Sequence, residues 1–118
     1  VLRGHTKNTR CVKTLDTNTL IATASEDHTI RIWHDFVEAQ NDILVGHQSV
    51  VSDLEYLGNG MLASCSYDYQ VIVWSNVTKQ PGSRMHQQQP NLQKLRSHSA
   101  PVNYVHHFKS ALISCSDD

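Results

Sequence analysis

Apolar residues recur in short runs separated by polar punctuation, and no run keeps a helical period. Strand-like runs of this kind, bounded by turn residues, predict β-strands. They fall near Thr9–Leu15, Leu20–Ser25, Thr29–Trp33 and Ile43–Val45. A second group falls at Val51–Leu57, Met61–Ser66, Gln70–Trp74 and near Leu92–Arg96, and a third at Val102–Phe108 and Ala111–Ser116. Turns are expected at Asp16-Thr17-Asn18, Gly58-Asn59-Gly60 and Lys109-Ser110. Asn59-Gly60 is a strong hairpin signal, because both residues tolerate positive φ. Val71-Ile72-Val73 and Ile30-Arg31-Ile32 do not alternate cleanly, which suggests sheets covered on both faces. The fold class is all-β.

The pattern repeats. Leu20 to Trp33 reads as strand, polar turn, strand ending on an indole, and Leu62 to Trp74 repeats that order. Leu112 to Asp118 begins it a third time. Gly4-His5, Gly46-His47 and Ser97-His98 open the three units, and each histidine precedes an aspartate by 22, 21 or 20 residues. Trp33 and Trp74 each follow that aspartate by six residues, and Asp27 to Asp68, like Trp33 to Trp74, spans 41 residues, which sets the unit at roughly 41. A fixed period of this size points to a repeat architecture.

Within the repeat, one set of polar residues returns: His5, Thr23 or Ser25, Asp27 and Trp33; His47, Ser64 or Ser66, Asp68 and Trp74; His98, Ser114 or Ser116 and Asp118. This set, at this spacing, resembles the WD-repeat family of β-propellers, over nearly the whole chain. The resemblance implies four-stranded antiparallel blades, here an arc of about two complete and two partial ones. Residues 1–3 are then the outer strand of a preceding blade, 4–45 one blade, 46–96 a second with an inserted loop at 76–94, and 97–118 an incomplete third. It also implies that the four side chains form a hydrogen-bonded network within each blade. The chemistry is compatible: a carboxylate accepts from imidazole, the second imidazole nitrogen meets a hydroxyl, and the hydroxyl accepts from indole. The aspartate that commonly follows the tryptophan is replaced by His34 and Ser75, and Ser97 replaces the glycine of the third Gly-His pair.

A hydrolase reading of His, Ser and Asp is weak, because a catalytic triad is needed once and this set returns with every unit. Zinc is equally unsupported: His5, His47 and His98 belong to separate units, and adjacent His106 and His107 point to opposite faces of a strand. No catalytic, cofactor-binding or metal-binding residue is assigned. An immunoglobulin-like sandwich is the alternative fold, and the repeat period argues against it.

Charge and cysteine content narrow the setting. Ten basic and eleven acidic residues among 118 leave a net charge near −1, which argues against direct nucleic-acid or anionic-membrane binding. No apolar run is long enough to span a bilayer, and the stretch from Val1 to His5 lacks signal-peptide character. Cys65 and Cys115 occupy equivalent strand positions, where small buried residues are expected, too far apart for a disulfide. With Cys11 this makes an odd number, and a reducing, intracellular compartment is the expectation. The insertion at 76–94 carries Pro81-Gly82, Pro90 and His86-Gln87-Gln88-Gln89, with basic and no acidic residues. It reads as a surface loop, and its Asn76-Val77-Thr78 sequon matters only in a secreted chain.

The resemblance implies a rigid, non-catalytic platform for proteins or peptides, bound on the face with the loops before each first strand and the second-to-third-strand turns. That face would present Lys7, Asn8, Arg10, Glu26, Ser49, Ser52, Tyr67, Pro101, Asn103 and Asp117. Tyr67 is the expected aromatic anchor, with Arg10, Lys7, Glu26, Asn103 and Asp117 around it. The alternative is a substrate receptor for a phosphorylated or acidic peptide, as in ubiquitin-ligase adaptors of this family. That role needs converging arginines, and here Arg10 stands beside acidic residues. Propellers close into rings, so the remaining blades are expected from a longer chain or from other copies.

Overall fold

The computed structural model describes residues 1–15, 19–37, 41–78 and 92–118. The first sheet has the order β1 (Thr9–Thr14), β2 (Leu20–Ser25), β3 (Thr29–His34) and β4 (Asn41–Val45). The second repeats it with β5 (Val51–Gly58), β6 (Met61–Ser66), β7 (Val71–Trp74) and β8 (Leu92–Leu95). In the third, β9 (Val102–Phe108) pairs with β10 (Ala111–Ser116). Every pairing is antiparallel. Adjacent strands joined by short turns are the cheapest way to pair the backbone, because each closure costs little chain entropy. Asn59 and Gly60 turn at φ 53° and 73° as their chemistry favours.

The sheets stack through their faces, with β5 packed between β1 and β9. In the first sheet Leu20, Ala22, Ala24, Ile30, Ile32 and Leu44 are buried against Val51, Leu54, Leu62, Ile72 and Trp74 of the second. Ala63, Cys65 and Val71 on the other side of the second sheet meet Val102 and Val105 of the third. The second sheet is therefore covered on both faces, and its β7 is apolar at every position. Burying each such side chain contributes roughly 1.5–3 kcal/mol.

The register decides which residues share a face. Val12, Thr23, Arg31 and Ile43 lie opposite one another across the first sheet. This is the face turned away from the second sheet, and Val12, Ile43 and Val45 are exposed on it. In the third sheet, Tyr104 opposite Cys115 and His106 opposite Ile113 occupy the face turned away from the second. Tyr104, Phe108 and Ile113 are exposed there.

Val1-Leu2-Arg3 pairs with no described strand. Two expectations need correction. The insertion ends before 94, since Leu92, Gln93 and Lys94 already pair with Trp74, Val73 and Ile72. Cys115 is exposed while its counterpart Cys65 is buried, because only the face holding Cys65 is covered by another sheet. The turn expected at 16–18, the tract 86–89 and most of the insertion, 79–91, lie outside the described residues.

Candidate functional site

The strand register assembles the recurring polar residues. In the second sheet His47 Nδ1 lies 2.8 Å from Asp68 Oδ2, and His47 Nε2 lies 2.7 Å from Ser64 Oγ. Trp74 Nε1–H donates to the same hydroxyl at 2.8 Å. A carboxylate only accepts, so Nδ1 carries the proton; Nε2 then accepts from Ser64, whose lone pair accepts from the indole. Asp68 Oδ2 also accepts from Gln48 N at 2.9 Å, and Oδ1 from Gln70 N at 3.0 Å.

The first sheet repeats the arrangement: His5 to Asp27 at 2.9 Å, His5 to Thr23 at 2.8 Å, and Trp33 to Thr23 at 2.8 Å. In the third, His98 meets Asp118 at 3.1 Å and Ser114 at 2.8 Å. Leu62 lies opposite Trp74, so the indole reaches diagonally to Ser64, two residues along. Ser25, Ser66 and Ser116 do other work. Their hydroxyls accept from the backbone N–H of Asp27, Asp68 and Asp118, and Ser25 donates back to Asn8 O. They shape the turn that aims the carboxylate.

The Gly-His pair has a steric reason as well. A Cβ on Gly46 would stand 2.8 Å from Trp74 Cη2, and one on Gly4 would stand 3.0 Å from Trp33 Cη2. The chain must cross closely over the indole to seat the histidine. The described third sheet carries no indole, and there Ser97 is accommodated.

Electrostatics follow from these contacts. Burial alone would raise the Asp27 carboxyl. Hydrogen bonds from Thr29 Oγ1, His5 and the Thr6 and Thr29 backbone outweigh it and hold the group well below the usual range. Asp68 is likewise held low against burial, by His47 and the Gln48 and Gln70 backbone. Asp118 is lowered by the Ser99 N–H and His98. Burial, then the bond to Asp53, pushes the Cys11 thiol up to about 11. Burial pushes Cys65 up to about 12 despite the Ser52 hydroxyl beside it.

The expected partner-binding residues are brought together in part. Arg10, Tyr67 and Asn103, from or beside β1, β6 and β9, line one depression of about 420 Å³ with Thr9, Ser52 and Tyr104. Glu26 stands behind Arg10, accepting from it at 3.4 Å and from Asn8 Nδ2 at 3.2 Å. Asp117 stands behind Asn103, accepting from its amide at 2.9 Å. Lys7 lies apart, in a second depression of about 420 Å³ beside Trp33 on the open face of the first sheet. Tyr67 is half-buried rather than fully exposed; the more exposed aromatics are Tyr104, Phe108, Phe36 and Tyr69. Among the described residues no group of three or more His, Cys, Asp or Glu is arranged to hold a metal, and no helix is long and apolar enough to cross a membrane.

Sequence reasoning missed the residues that join one sheet to the next. Asp53 accepts from Cys11 Sγ–H at 3.1 Å and from Val105 N at 3.2 Å, touching both neighbouring sheets. Ser52 Oγ donates to Val102 O at 2.5 Å. His34, where the family commonly has aspartate, is buried and meets Asp42 at 2.8 Å. An acidic residue at the second position after the start of the apolar run Val51–Leu57 was the available signal for Asp53.

Repeated four-stranded antiparallel sheets stacked face to face, each stapled by one His-Asp-hydroxyl-indole chain, define the blades of a β-propeller. Comparison with known proteins agrees: the family described as WD domain, G-beta repeat, matches residues 1–34 and 39–75, and the chain belongs to the WD-repeat family. It is 31% identical to the nuclear distribution protein nudF of Aspergillus flavus, over 99% of this chain and 25% of that protein. It is 34% identical to the SIR4-interacting protein SIF2 of Saccharomyces cerevisiae, over 63% of this chain and 14% of that protein. It is also 34% identical to the SEC13 homolog of Drosophila melanogaster, over 73% of this chain and 23% of that protein. The chain thus spans a quarter or less of the length of these relatives. WD repeats build protein–protein interaction scaffolds and are generally non-catalytic.

Proposed function

We propose that this chain is a non-catalytic interaction platform, an arc of a larger WD-repeat propeller that works in a multi-subunit complex inside the cell. It docks proteins or peptides at the depression lined by Arg10, Tyr67 and Asn103. The observation that supports this is the convergence of side chains from three sheets on one concave surface. Tyr67 supplies aromatic area with a polar tip, which suits an interface anchor. Glu26 and Asp117 act through Arg10 and Asn103, whose side chains they orient. The larger ring is supported by the apolar side chains exposed on the outer faces of the first and third sheets, and the intracellular setting by three free cysteines. A phosphate-reading receptor is less favoured, since Arg10 is the single cation among the described lining residues and already faces Glu26.

The test compares the protein isolated with its associates from its source against Tyr67→Ala and Asn103→Ala variants by quantitative mass spectrometry. A defined set of associates lost from both variants at unchanged Tm is the expected result. Retention of every associate by both variants overturns the assignment of this surface. Native mass is measured on the same material: several times 13.3 kDa is expected, and 13.3 kDa alone overturns the larger ring.

A further inference from the structure

The two open sheet faces differ in charge. On the first sheet, Arg31 lies on the same face as Thr23 and Trp33. Its counterpart in the second sheet is Ile72: Arg31 lies opposite Thr23 as Ile72 lies opposite Ser64. Gly4 sits against Arg31 and Trp33 as Gly46 sits against Ile72 and Trp74. Ile72 is fully buried under the first sheet, so a covered position accepts an aliphatic side chain there. The first sheet instead carries a guanidinium. Its Nη1 donates to Asn41 Oδ1 at 2.8 Å, and the group lies 5.9 Å from the Trp33 ring. Arg31 Nε is the buried side-chain polar atom without a hydrogen-bond partner among the described residues. A guanidinium has five donors in a planar fork suited to a carboxylate.

The adjoining depression strengthens the point. Its wall holds Lys7, and no carboxylate stands among the described lining residues. At the solvent rim of the interface between the first two sheets, Lys13 of β1 is paired with Glu55 of β5 at 3.5 Å. The open face of the third sheet offers Tyr104, His106, Phe108, Ile113 and Cys115, with no carboxylate among the described residues of its two strands.

We propose that the open face of the first sheet is covered by a further WD blade that sets an Asp or Glu carboxylate against Arg31 and Lys7, and not by the third sheet of a second copy. Arg31 thereby selects its neighbour, because an apolar face laid on it would bury a cation without a counter-charge. This rests on the larger-propeller reading and adds the chemistry of the joining face.

The test uses the native, full-length protein. Arg31→Ile copies the second sheet's residue into the first. With a carboxylate opposite, it strands that carboxylate and lowers Tm by several degrees, and Arg31→Lys recovers part of the loss. With an apolar face opposite, it completes the packing and leaves Tm unchanged or raised, which overturns the proposal. Zero-length carbodiimide crosslinking reads the partner directly, with Lys13–Glu55 as internal control. A Lys7 crosslink to a carboxylate in another WD repeat is expected. A Lys7 crosslink to a second copy's third sheet, or a Lys7 that stays uncrosslinked while Lys13 reacts, overturns the assignment. A ring confirmed by native mass combined with a stabilising Arg31→Ile defeats this inference alone and leaves the propeller reading standing.

Discussion

Replacing Asp68 by alanine probes the staple at its most enclosed point. The change removes one acceptor group from three donors: His47 Nδ1 at 2.8 Å, Gln48 N at 2.9 Å and Gln70 N at 3.0 Å. Gln48 is exposed, and its N–H recovers water as a partner. His47 does not, since its side chain is 1% exposed. A bond to a charged acceptor contributes about 1.5–3 kcal/mol, and stranding a buried donor costs about 1–3 kcal/mol. The two backbone groups add a smaller share, so a loss of about 3–4 kcal/mol is expected. For a domain of this size that is a drop of roughly 10–15 °C in Tm. Urea and thermal unfolding followed by Trp74 fluorescence measure it. Asp118→Ala is the control: it removes the same kind of contacts, to His98 and Ser99 N, at an exposed position where water replaces them. A loss below about 1 kcal/mol at Asp68, or equal losses at both aspartates, would refute the argument that burial gives the staple its strength.

Acid should weaken the same network. Asp27 and Asp68 are held below the ordinary carboxyl range in the folded state, so the unfolded chain binds more protons as pH falls. Their contribution is complete above about pH 4, the unfolded value, and is lost below it. Urea midpoints should decline between about pH 4 and pH 2, and less steeply in Asp68→Ala; a midpoint that rises on acidification contradicts the assignment. Thiol chemistry offers a separate check. With Cys11 raised to about 11 and Cys65 to about 12, neither forms appreciable thiolate near pH 7.5, while Cys115 is exposed. Disulfide-exchange labelling should modify Cys115 first and the other two only on unfolding, and labelling of Cys65 at the rate of Cys115 counts against the packing described.

Much of this architecture was legible because local signals and the repeat agree. The strands Leu20–Ser25, Met61–Ser66, Val102–Phe108 and Ala111–Ser116 coincide with their apolar runs, since each run is bounded by turn chemistry on both sides. What alternation leaves open, register decides. Thr23 and Ser25 have the same parity on β2, and only the pairing of Ile21 with Trp33 brings Thr23 under the indole. Burial of the two equivalent cysteines was misjudged for Cys115, because burial belongs to the neighbouring sheet and not to the strand. Tyr104 and Thr9 entered the depression unforeseen, as their meeting depends on how three sheets are set beside one another. The correspondence of Arg31 with Ile72 was readable from spacing, but its meaning required knowing which face lay open.

The bonds made by Ser52 and Asp53 have a consequence for recognition. They tie β5 to β9 through Val102 O and Val105 N, and to β1 through the Cys11 thiol. Ser52 itself lines the depression, beside Arg10 from one neighbouring sheet and Asn103 from the other. The spacing of these walls is thus set by hydrogen-bond lengths close beneath the surface, which tolerate only a few tenths of an ångström. A partner meets a surface already shaped, and little of its binding energy goes into ordering the three sheets that hold it.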